Sequence, residues 1–599
     1  MSKNSLFSGH FDGRQLPTPE GLRVGDRRVD WDGGALAWSD AADVVFARRE
    51  DRLCVAVGHP AFPPQIAGGN AAERWLTLYA QRGEAGLAQV GGGWSVVILA
   101  PCEGRLLLAI DRFAIQTACY AREGSRIAFA ERADDVAVRD RGLDPQAIFN
   151  YLHFHMIPAP RTIFRQVRRL PQAAALQLQD GASQVRPYWR PHFEEHKRLD
   201  FATAKTKFRL LVENAVRREI GHERVGAFLS GGTDSSTVAG MLCLATGASC
   251  DTYSIGFDSE GYDEMEYARI ASKHFRTRHH EYYITPEDLV SGIPAVARFH
   301  DQPFGNSSAV PAYYCAKVAK ADGMEHLLAG DGGDELFGGN SRYATQRLFD
   351  AYRHVPGLIR RHLLEPVLAD TDWPRKIPGL RQAGGYMRHS RIPLPDRMES
   401  FNLLDRLGPD HVLTTDFLAT INLQSPMEER RETWRQCETG ALVNRMLAYD
   451  WKFTLADSDL PKVRGATRMA GIGVGFPLLD TELTDFSLTL EPEWKLRKLK
   501  LRWFFKEALR GFLPDAILTK KKHGFGLPFG PWTVKHPGLR RLAQESLDSL
   551  AARGIVRQDF VSRLFANLLP EHPGYYGEMV WILMMLEQWL AAQDARTPA

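Results

Sequence analysis

The chain has 599 residues, of which 44% are hydrophobic and 25% are charged. This length exceeds one compact core and indicates two large domains of ordinary globular composition. A formal net charge of +3 argues against a nucleic-acid partner, which would require a strong positive field. No apolar run is long enough to span a membrane, and none follows the amino terminus as in a secretory signal, so we expect a cytoplasmic protein with no membrane partner. The seven cysteines have no paired spacing, which predicts neither a disulfide framework nor a structural zinc site.

The front of the chain shows alternating apolar runs, which predict strands with one buried face. The clearest runs are residues 93–95, 106–113 and 127–131. The strand pattern is broken at roughly 187–200, where Pro187, Trp189 and a charged run follow one another. This break predicts two domains, 1–190 and 200–599.

The most informative string is VGAFLSGGTDSS, from Val225 to Ser236. It predicts a short strand, a turn of small residues and a helix that begins near Ser235. Backbone N–H groups and a helix N-terminus would then point at one place, which suits an anionic phosphate. The spacing differs from that of a Walker loop. The predicted phosphate-binding residues are Ser230, Gly231, Gly232, Thr233, Asp234, Ser235 and Ser236, with Asp234 also placed to hold magnesium.

A second string, residues 327–339, again predicts a strand, a tight acidic turn and a helix. Its carboxylates Asp331 and Asp334 stand beside glycines, and grouped carboxylates bind a hard cation together with water and phosphate oxygens. Between the two strings, residues 252–257 predict another strand that ends in Gly256 and Phe257. Repeated strand-loop-helix units predict a parallel sheet with its ligands at the carboxyl ends of the strands.

The later regions are less informative. Residues 342–445 are largely helical in pattern and more basic, which is compatible with a cover over the cleft or a partner-binding elaboration. The basic run 495–502 predicts an amphipathic helix with a solvated basic face. Residues 574–591 are apolar at helical spacing and predict a core helix.

The S-G-G-x-D-S loop resembles that of the ATP pyrophosphatases, and the order of the strings resembles the synthetase domain of asparagine synthetase. The likeness continues through residues 476–480 and 520–528. It implies an α/β fold, in which a degenerate Ntn-type glutaminase domain (αββα) precedes a parallel-sheet ATP-pyrophosphatase domain with extra helices. It also implies ATP and Mg²⁺ as cofactors, with the metal held by Asp234 and Asp334, and a catalytic Lys522 that supports the acyl-adenylate and the amide-forming step. The further ATP-contacting residues that it implies are Leu229, Ile255, Gly256, Phe257, Gly330 and Gly332.

The glutaminase likeness is incomplete. In that family an amino-terminal cysteine is the nucleophile and its own α-amino group assists as the base, whereas this chain begins Met1-Ser2-Lys3-Asn4-Ser5. Ser5 falls near the nucleophile's place without a free amine, while removal of Met1 would expose Ser2. The family's Asn-Gly-Glu string is replaced by His-Pro-Ala-Phe-Pro at 59–63. We therefore expect no glutaminase activity and a domain kept as scaffold or docking surface.

The substrate pocket also departs from the family. Gly473 and Gly475 stand where the family has a glutamate and an arginine. Glycines there would open the pocket to a larger substrate, or they would meet a backbone requirement of a changed loop. Asp331 stands at the place of a tyrosine in the similar β-lactam synthetases, so it is a candidate to orient or deprotonate an amine, with a structural or magnesium-related role equally open.

Lasso-peptide cyclases are family members without the terminal cysteine that join an Asp or Glu side chain to the peptide's own amino terminus. The resemblance therefore predicts macrolactam closure of a peptide substrate, with a leader peptidase as a possible partner and no prediction of oligomeric state. Two alternatives stay open: an ammonia- or amine-dependent ligase for a small carboxylic acid, and a non-catalytic ATP-binding family member. A nucleic-acid-modifying enzyme is disfavoured by the near-neutral charge.

Overall fold

The computed structural model describes residues 5–136, 141–221, 224–351, 358, 386–520 and 526–595. Lys522 and part of the region 342–445 lie outside the described residues. The predicted domain bounds, 1–190 and 200–599, stay predictions.

The front of the chain forms two antiparallel sheets packed face to face. Their strands are β1 (Phe7–Asp12), β2 (Arg23–Gly25), β3 (Arg28–Trp31), β4 (Gly34–Trp38), β5 (Val44–Arg49), β6 (Arg52–Gly58), β7 (Trp94–Ala100), β8 (Arg105–Ile110), β9 (Cys119–Glu123), β10 (Arg126–Ala130), β11 (Val167–Arg169), β12 (Ala174–Gln179) and β13 (Ala182–Pro187). The orders are β11-β9-β10-β1-β4-β3-β2 and β13-β12-β8-β7-β6-β5. Apolar side chains from both sheets, among them Phe7, Phe11, Val55 and Leu108, share one core, because alternate residues of a strand face the same side.

Helices flank both sheets, as the predicted αββα arrangement requires. These helices are α1 (Ala71–Arg82), α2 (Ala133–Val136) and α3 (Pro145–Phe154). α1 begins with a capping box, in which Asn70 accepts from the backbone N–H of Glu73 and Glu73 accepts from that of Asn70. It places Trp75 and Leu76 against Val96 on the outer face of the second sheet.

The rest of the chain is built on a five-stranded parallel sheet. Its strands are β14 (Val225–Phe228), β15 (Asp251–Phe257), β16 (Arg278–Ile284), β17 (His326–Leu328) and β18 (Gly473–Gly475), in the order β16-β15-β14-β17-β18. Ala227 of β14 is in register with Leu328 of β17, so the loops that follow these two strands leave the same sheet edge side by side. The predicted α/β fold is thereby confirmed.

Helices cover this sheet and extend beyond it. The first ones are α4 (Phe201–Glu219), α5 (Thr233–Thr246), α6 (Met265–Phe275), α7 (Pro286–Phe299), α8 (Ala309–Ala321), α9 (Gly333–Phe337) and α10 (Ser341–Ala351). Later helices span Leu403–Leu407, Pro409–Val412, Thr415–Leu418, Ser425–Gln436, Leu442–Asp450, Leu460–Ala470, Thr481–Leu488, Pro492–Lys495, Trp503–Ala508, Asp515–Thr519, Phe529–Lys535, Pro537–Ala552, Gln558–Arg563, Leu569–Glu571 and Pro573–Asp594. Trp451–Asp459 is a π-helical segment between two of them.

Two expectations are wrong. The basic run 495–502 is not a helix with a solvated face: a short hairpin of β19 (Leu496–Arg497) and β20 (Lys500–Leu501) occupies it, and Lys495 and Arg502 at its ends are buried. A disulfide joins Cys243 to Cys250, although no pairing was expected. The two cysteines flank the turn in which α5 ends at Gly247 with φ +65°, and this turn brings them together.

The carboxyl-terminal helix confirms the predicted core segment. Pro573–Asp594 buries Trp581, Trp589 and most of its apolar residues. Within the parts of the chain that the structure describes, no helix is long and apolar enough to cross a membrane.

Candidate active site

The loop after β14 is held open by hydrogen bonds between its own serines. The backbone N–H of Ser230 donates to Ser235 Oγ at 3.1 Å, and the two hydroxyl oxygens lie 2.9 Å apart. Gly231 has φ +67°, and a Cβ there would lie 2.5 Å from the backbone nitrogen of Ala268. The loop therefore requires glycine at this position. α5 then begins at Thr233 without a side-chain cap, which leaves its first N–H groups available to an anion.

The loop after β17 packs directly against the first one. A Cβ on Gly330 would lie 2.7 Å from the backbone nitrogen of Ser235, and one on Gly333 would lie 2.5 Å from Oδ1 of Asp234. Only glycines allow this approach. The consequence is that the carboxylate of Asp234 from one loop and that of Asp334 from the other reach the same small volume.

A buried arginine joins these two carboxylates. Arg502 forms ion pairs with both Asp234 and Asp334. Burial raises the pKa of Asp234, and Arg502 and Lys506 oppose that rise. Burial lowers the pKa of Arg502, and Asp234 opposes that fall. Arg502 was not predicted as a site residue because it lies in the run that was interpreted as a solvated helix.

The two carboxylates suit a magnesium ion whose remaining ligands come from elsewhere. Among the described residues, no group of three or more His, Cys, Asp or Glu side chains is arranged as a metal cluster. Mg²⁺ commonly uses one or two carboxylates and completes its shell with water and phosphate oxygens. Asp234 and Asp334 supply that number of hard oxygen ligands, and both line a cavity. They could therefore hold the metal together with a bound polyphosphate.

Asp331 belongs to a second charged group on the same sheet edge. Its Oδ1 lies 3.5 Å from Nζ of Lys462, which also pairs with Asp459 at 3.0 Å. Burial raises the pKa of Asp331, and Lys462 opposes that rise. Glu335 is buried nearby, and burial together with Asp459 and Asp450 raises its pKa far above the ordinary value. Glu335 was missed although it directly follows Asp334, while Lys462 and Asp459 carried no signal because they come from a distant helix.

A cavity of about 1400 Å³ connects both charged groups. The predicted site residues on its wall are Leu229, Ser230, Gly232, Thr233, Asp234, Ser235, Ile255, Gly330, Asp331, Gly332 and Asp334. The predicted residues that are not on the wall are Gly231, Ser236, Gly256 and Phe257. Gly256 instead allows the ring of Tyr283 to pack, since a Cβ there would lie 2.7 Å from it. ATP binding by the residues on the wall stays a prediction, as does any role of Lys522.

The cavity wall carries both basic and aromatic residues. The basic residues are Lys462, Lys500, Arg502, Lys506, Arg510 and Lys520. The aromatic residues are Phe154, Phe228, Tyr253, Tyr262, Trp503, Phe529 and Trp581. Such a wall can hold a polyphosphate through its basic residues and a partly apolar molecule through its aromatic ones.

Gly473 and Gly475 are not on this wall. A Cβ on Gly473 would lie 2.7 Å from Nδ1 of the buried His326, and one on Gly475 would lie 2.4 Å from Oε2 of Glu219. Of the two explanations given for these glycines, the structure favours the backbone and packing requirement. The size of the cavity does not come from them.

Comparison with known proteins agrees with the two-domain architecture. The asparagine synthase family model matches residues 207–591, and a glutamine amidotransferase domain matches residues 66–189. The chain belongs to the asparagine synthase family. The loops after β14 and β17 both lie within residues 207–591, so both belong to the synthetase half of the molecule.

Individual family members are distant from this chain. "Asparagine synthetase [glutamine-hydrolyzing] 1" of Bacillus subtilis (strain 168) is 22% identical over 524 residues, covering 86% of this chain and 79% of its own. "Putative asparagine synthetase [glutamine-hydrolyzing] 2" of Methanocaldococcus jannaschii is 27% identical over 350 residues, covering 57% and 67%. The solved glutamine phosphoribosylpyrophosphate amidotransferase from B. subtilis aligns over 55% of this chain and 76% of its own at 11% identity, with a TM-score of 0.21 that carries no functional weight.

The amidotransferase-like domain of this asparagine synthase family member holds Ser5 in its interior. Ser5 is 2% exposed, and its hydroxyl donates to the carbonyl oxygen of Phe7 at 3.0 Å. A hydroxyl committed in this way is not presented to a substrate. Residues 1–4, including Ser2, lie outside the described residues, so the expected lack of glutaminase activity stays a prediction.

Proposed function

We propose that the protein is an ATP-dependent, AMP-forming amide ligase that acts through an acyl-adenylate. The observation that carries the proposal is the single cavity that joins the glycine-serine loop, the carboxylates Asp234 and Asp334, and a basic wall. Family membership supports the same reaction class.

The chemistry of amide formation requires these groups. A carboxylate is a poor electrophile because oxide is a poor leaving group, so the acid is first transferred to AMP and pyrophosphate leaves. The loop from Ser230 to Ser235 would bind phosphate oxygens through N–H and hydroxyl donors, while Arg502 and Lys506 would balance negative charge at the α-phosphate. Magnesium at Asp234 and Asp334 would supply further charge neutralisation at the phosphates.

We further propose that the acid and the amine come from one peptide and that the product is a macrolactam. The cavity of about 1400 Å³ exceeds the roughly 300–1000 Å³ that is usual for small-molecule sites. The aromatic residues of its wall suit the side chains of a peptide. In this proposal the acid is an Asp or Glu side chain, the nucleophile is the peptide's own amino terminus, and a leader peptidase would act earlier to free that amine.

The proposal is tested with ATP, Mg²⁺ and a library of peptides that have a free amino terminus and a single Asp or Glu. Pyrophosphate release together with a product lighter by one water is the expected result. The matched control is the same peptide with an acetylated amino terminus, which retains the acid and lacks the nucleophile. If the acetylated peptide also loses water, the ring-closing proposal is wrong.

A second candidate is a ligase that joins ammonia or a small amine to a small carboxylic acid. The names of the relatives, which describe asparagine synthetases, favour it. Aspartate with ammonium ions would then give an amide product, whereas peptides would not. A third candidate, a family member that binds ATP without turnover, predicts no acid-dependent release of pyrophosphate with either substrate.

A further inference from the structure

A histidine of the amidotransferase-like domain reaches the wall of the synthetase cavity. His155 ends α3, within the region that matches a glutamine amidotransferase domain, and it lines the cavity together with Phe154. Its position is fixed by its backbone: its N–H donates to Tyr151 O at 2.7 Å, and its carbonyl accepts from Gly305 N–H at 2.8 Å. The hydroxyl of Tyr151 in turn donates to the carbonyl of Ile582 at 2.9 Å, which docks α3 on the carboxyl-terminal helix.

The backbone of His155 is in a conformation that normally selects glycine. Its φ is +63°, at the helix-ending position where glycine is common because it has no Cβ. For other residues the left-handed conformation costs about 1 kcal/mol or more. His155 therefore carries an imidazole at a helix-ending position that also lies on the wall of a cavity.

The imidazole has a carboxylate beside it. Nδ1 of His155 lies 3.5 Å from Oε1 of Glu578, which also lines the cavity. The side chain of Glu578 is 54% exposed and that of His155 is 32% exposed, so both are accessible to a molecule in the cavity. Among the described residues, the second ring nitrogen, Nε2, has no hydrogen-bond partner.

A short chain of contacts connects this pair to the acidic loops. Gly305, which bonds to His155, precedes Asn306, whose amide donates to Ser458 Oγ at 3.2 Å. The next residue, Asp459, pairs with Lys462, and Lys462 pairs with Asp331. His155 belongs to the amidotransferase-like domain, whereas the other residues of this chain of contacts belong to the synthetase half. All of them line the cavity. The imidazole–carboxylate pair and the acidic loops therefore belong to one continuous surface.

We propose that His155 and Glu578 form the subsite for the attacking amine. The inference rests on the proposed ligase function. The amine enters and loses its first proton to water, and its lone pair then attacks the carbonyl carbon of the acyl-adenylate. The new C–N bond leaves an extra proton on nitrogen, Nε2 of His155 takes that proton, and the C–O bond to AMP breaks. Glu578 orients the imidazole and carries the charge opposite to the imidazolium that forms.

The environment keeps the imidazole neutral before the reaction. Burial, together with His153 and Arg430, lowers the pKa of His155 to about 4, and Glu578 is the acidic group that faces it. A neutral imidazole can accept a proton at neutral pH. Breaking of the C–O bond to AMP draws the transfer forward, because a proton left on an amide nitrogen is far more acidic than one on an imidazole.

The test separates the two half-reactions in His155→Gly and Glu578→Gln. Glycine adopts the left-handed conformation without strain, so the His155→Gly variant should keep the melting temperature of the wild type. The measurements are acid-dependent exchange of pyrophosphate into ATP, amide formation, and trapping of the acyl-adenylate by hydroxylamine, a strong nucleophile that needs little help from a base. The expected result is a fall of about 100-fold or more in the ratio of amide formation to exchange, with hydroxamate formation falling far less.

The matched controls are His196→Gly and Glu571→Gln, two exposed residues away from the cavity wall. They should keep the wild-type ratio. If the two test variants also keep that ratio, or lose exchange and amide formation in equal proportion, the amine subsite is wrong while the ligase function stands. If the wild type shows neither acid-dependent exchange nor hydroxamate, the ligase function fails and the subsite fails with it.

Discussion

The two halves of the molecule use buried charge in different ways. In the amidotransferase-like domain, the carboxylate of Asp111 accepts hydrogen bonds from the backbone N–H groups of Trp94, Phe113, Ile115 and Gln116 at 2.8–3.2 Å, and burial raises its pKa to about 6. In the synthetase half, the buried charges stand at the ends of parallel strands and face a cavity. The first arrangement holds a turn in place, while the second leaves its charges accessible to a ligand.

The halves are also joined by charge. Glu131 of the first domain is 1% exposed, accepts from the backbone N–H of Leu6, and pairs with Arg468 and Arg464 of the second. Through this ion pair and through His155, the first domain contacts the second and contributes to the cavity wall. The two domains therefore share buried charge and one cavity wall, so changes in the first domain are expected to affect the second.

The largest effect on activity is expected at Asp234, whose carboxylate lies beside that of Asp334. Asp234→Ala removes the carboxylate that packs against the second acidic loop and is placed to hold the metal. We expect pyrophosphate release and amide formation to fall roughly 1000-fold, because the charged phosphates lose their electrostatic support. The exposed Asp416→Ala is the control. Full product yield from Asp234→Ala would show that the active site lies elsewhere.

Lys522→Ala is expected to abolish amide formation, with slow ATP consumption left if the lysine acts mainly in the second half-reaction. The ratio of AMP released to amide formed measures this separation. Lys521→Ala is the matched control, since only Lys522 is assigned a role by the family resemblance. Unchanged amide formation in Lys522→Ala would reduce the run to an ordinary basic turn.

Breaking the contact between the halves should cost stability. Glu131→Ala leaves Arg464 and Arg468 without their buried partner, and we expect the free energy of unfolding to fall by about 3 kcal/mol. Exposed Glu20→Ala should change it by less than about 0.5 kcal/mol. Denaturant unfolding followed by tryptophan fluorescence measures both. An unchanged free energy for Glu131→Ala would mean that the domains do not depend on this pair.

The same contact has a pH signature. Burial alone would raise the pKa of Glu131, but Arg468 and Arg464 hold it below its ordinary value. A carboxylate whose folded-state pKa is depressed stabilises the fold above its unfolded pKa of about 4.5, and that contribution is lost as the pH falls through the folded pKa. The wild type should therefore lose more stability than Glu131→Ala as the pH falls below about 4.5.

The smallest effect is expected at Gly473. Because its Cβ would press on the buried His326, Gly473→Ala should cost about 1–2 kcal/mol of stability and leave the KM for the acid unchanged. Gly221→Ala, where no atom of the described residues lies within 4 Å of the added carbon, is the control. A changed KM without loss of stability would place Gly473 in the substrate pocket after all.

The sequence predicted the features that depend on short, continuous stretches of the chain. The strings at 225–236 and 327–339 each specify a strand, a glycine turn and a helix, so both loops and their shared sheet edge follow from short-range patterns. Arg502, Lys462 and Glu578 were missed because each reaches the site from a distant element. The run at 495–502 was misinterpreted because its charge suggested solvent, whereas ion pairs with Asp234 and Asp334 bury Arg502.

The most direct test of the acyl-adenylate mechanism traces the carboxylate oxygen atoms of the acid into the products. A substrate whose carboxylate carries ¹⁸O is incubated with the enzyme, ATP and Mg²⁺, and the nucleotide and phosphate products are analysed by mass spectrometry. An acyl-adenylate requires one ¹⁸O atom to appear in AMP and none in pyrophosphate. Formation of ADP with ¹⁸O in inorganic phosphate would mean that the acid is activated by phosphorylation instead, and it would contradict the account.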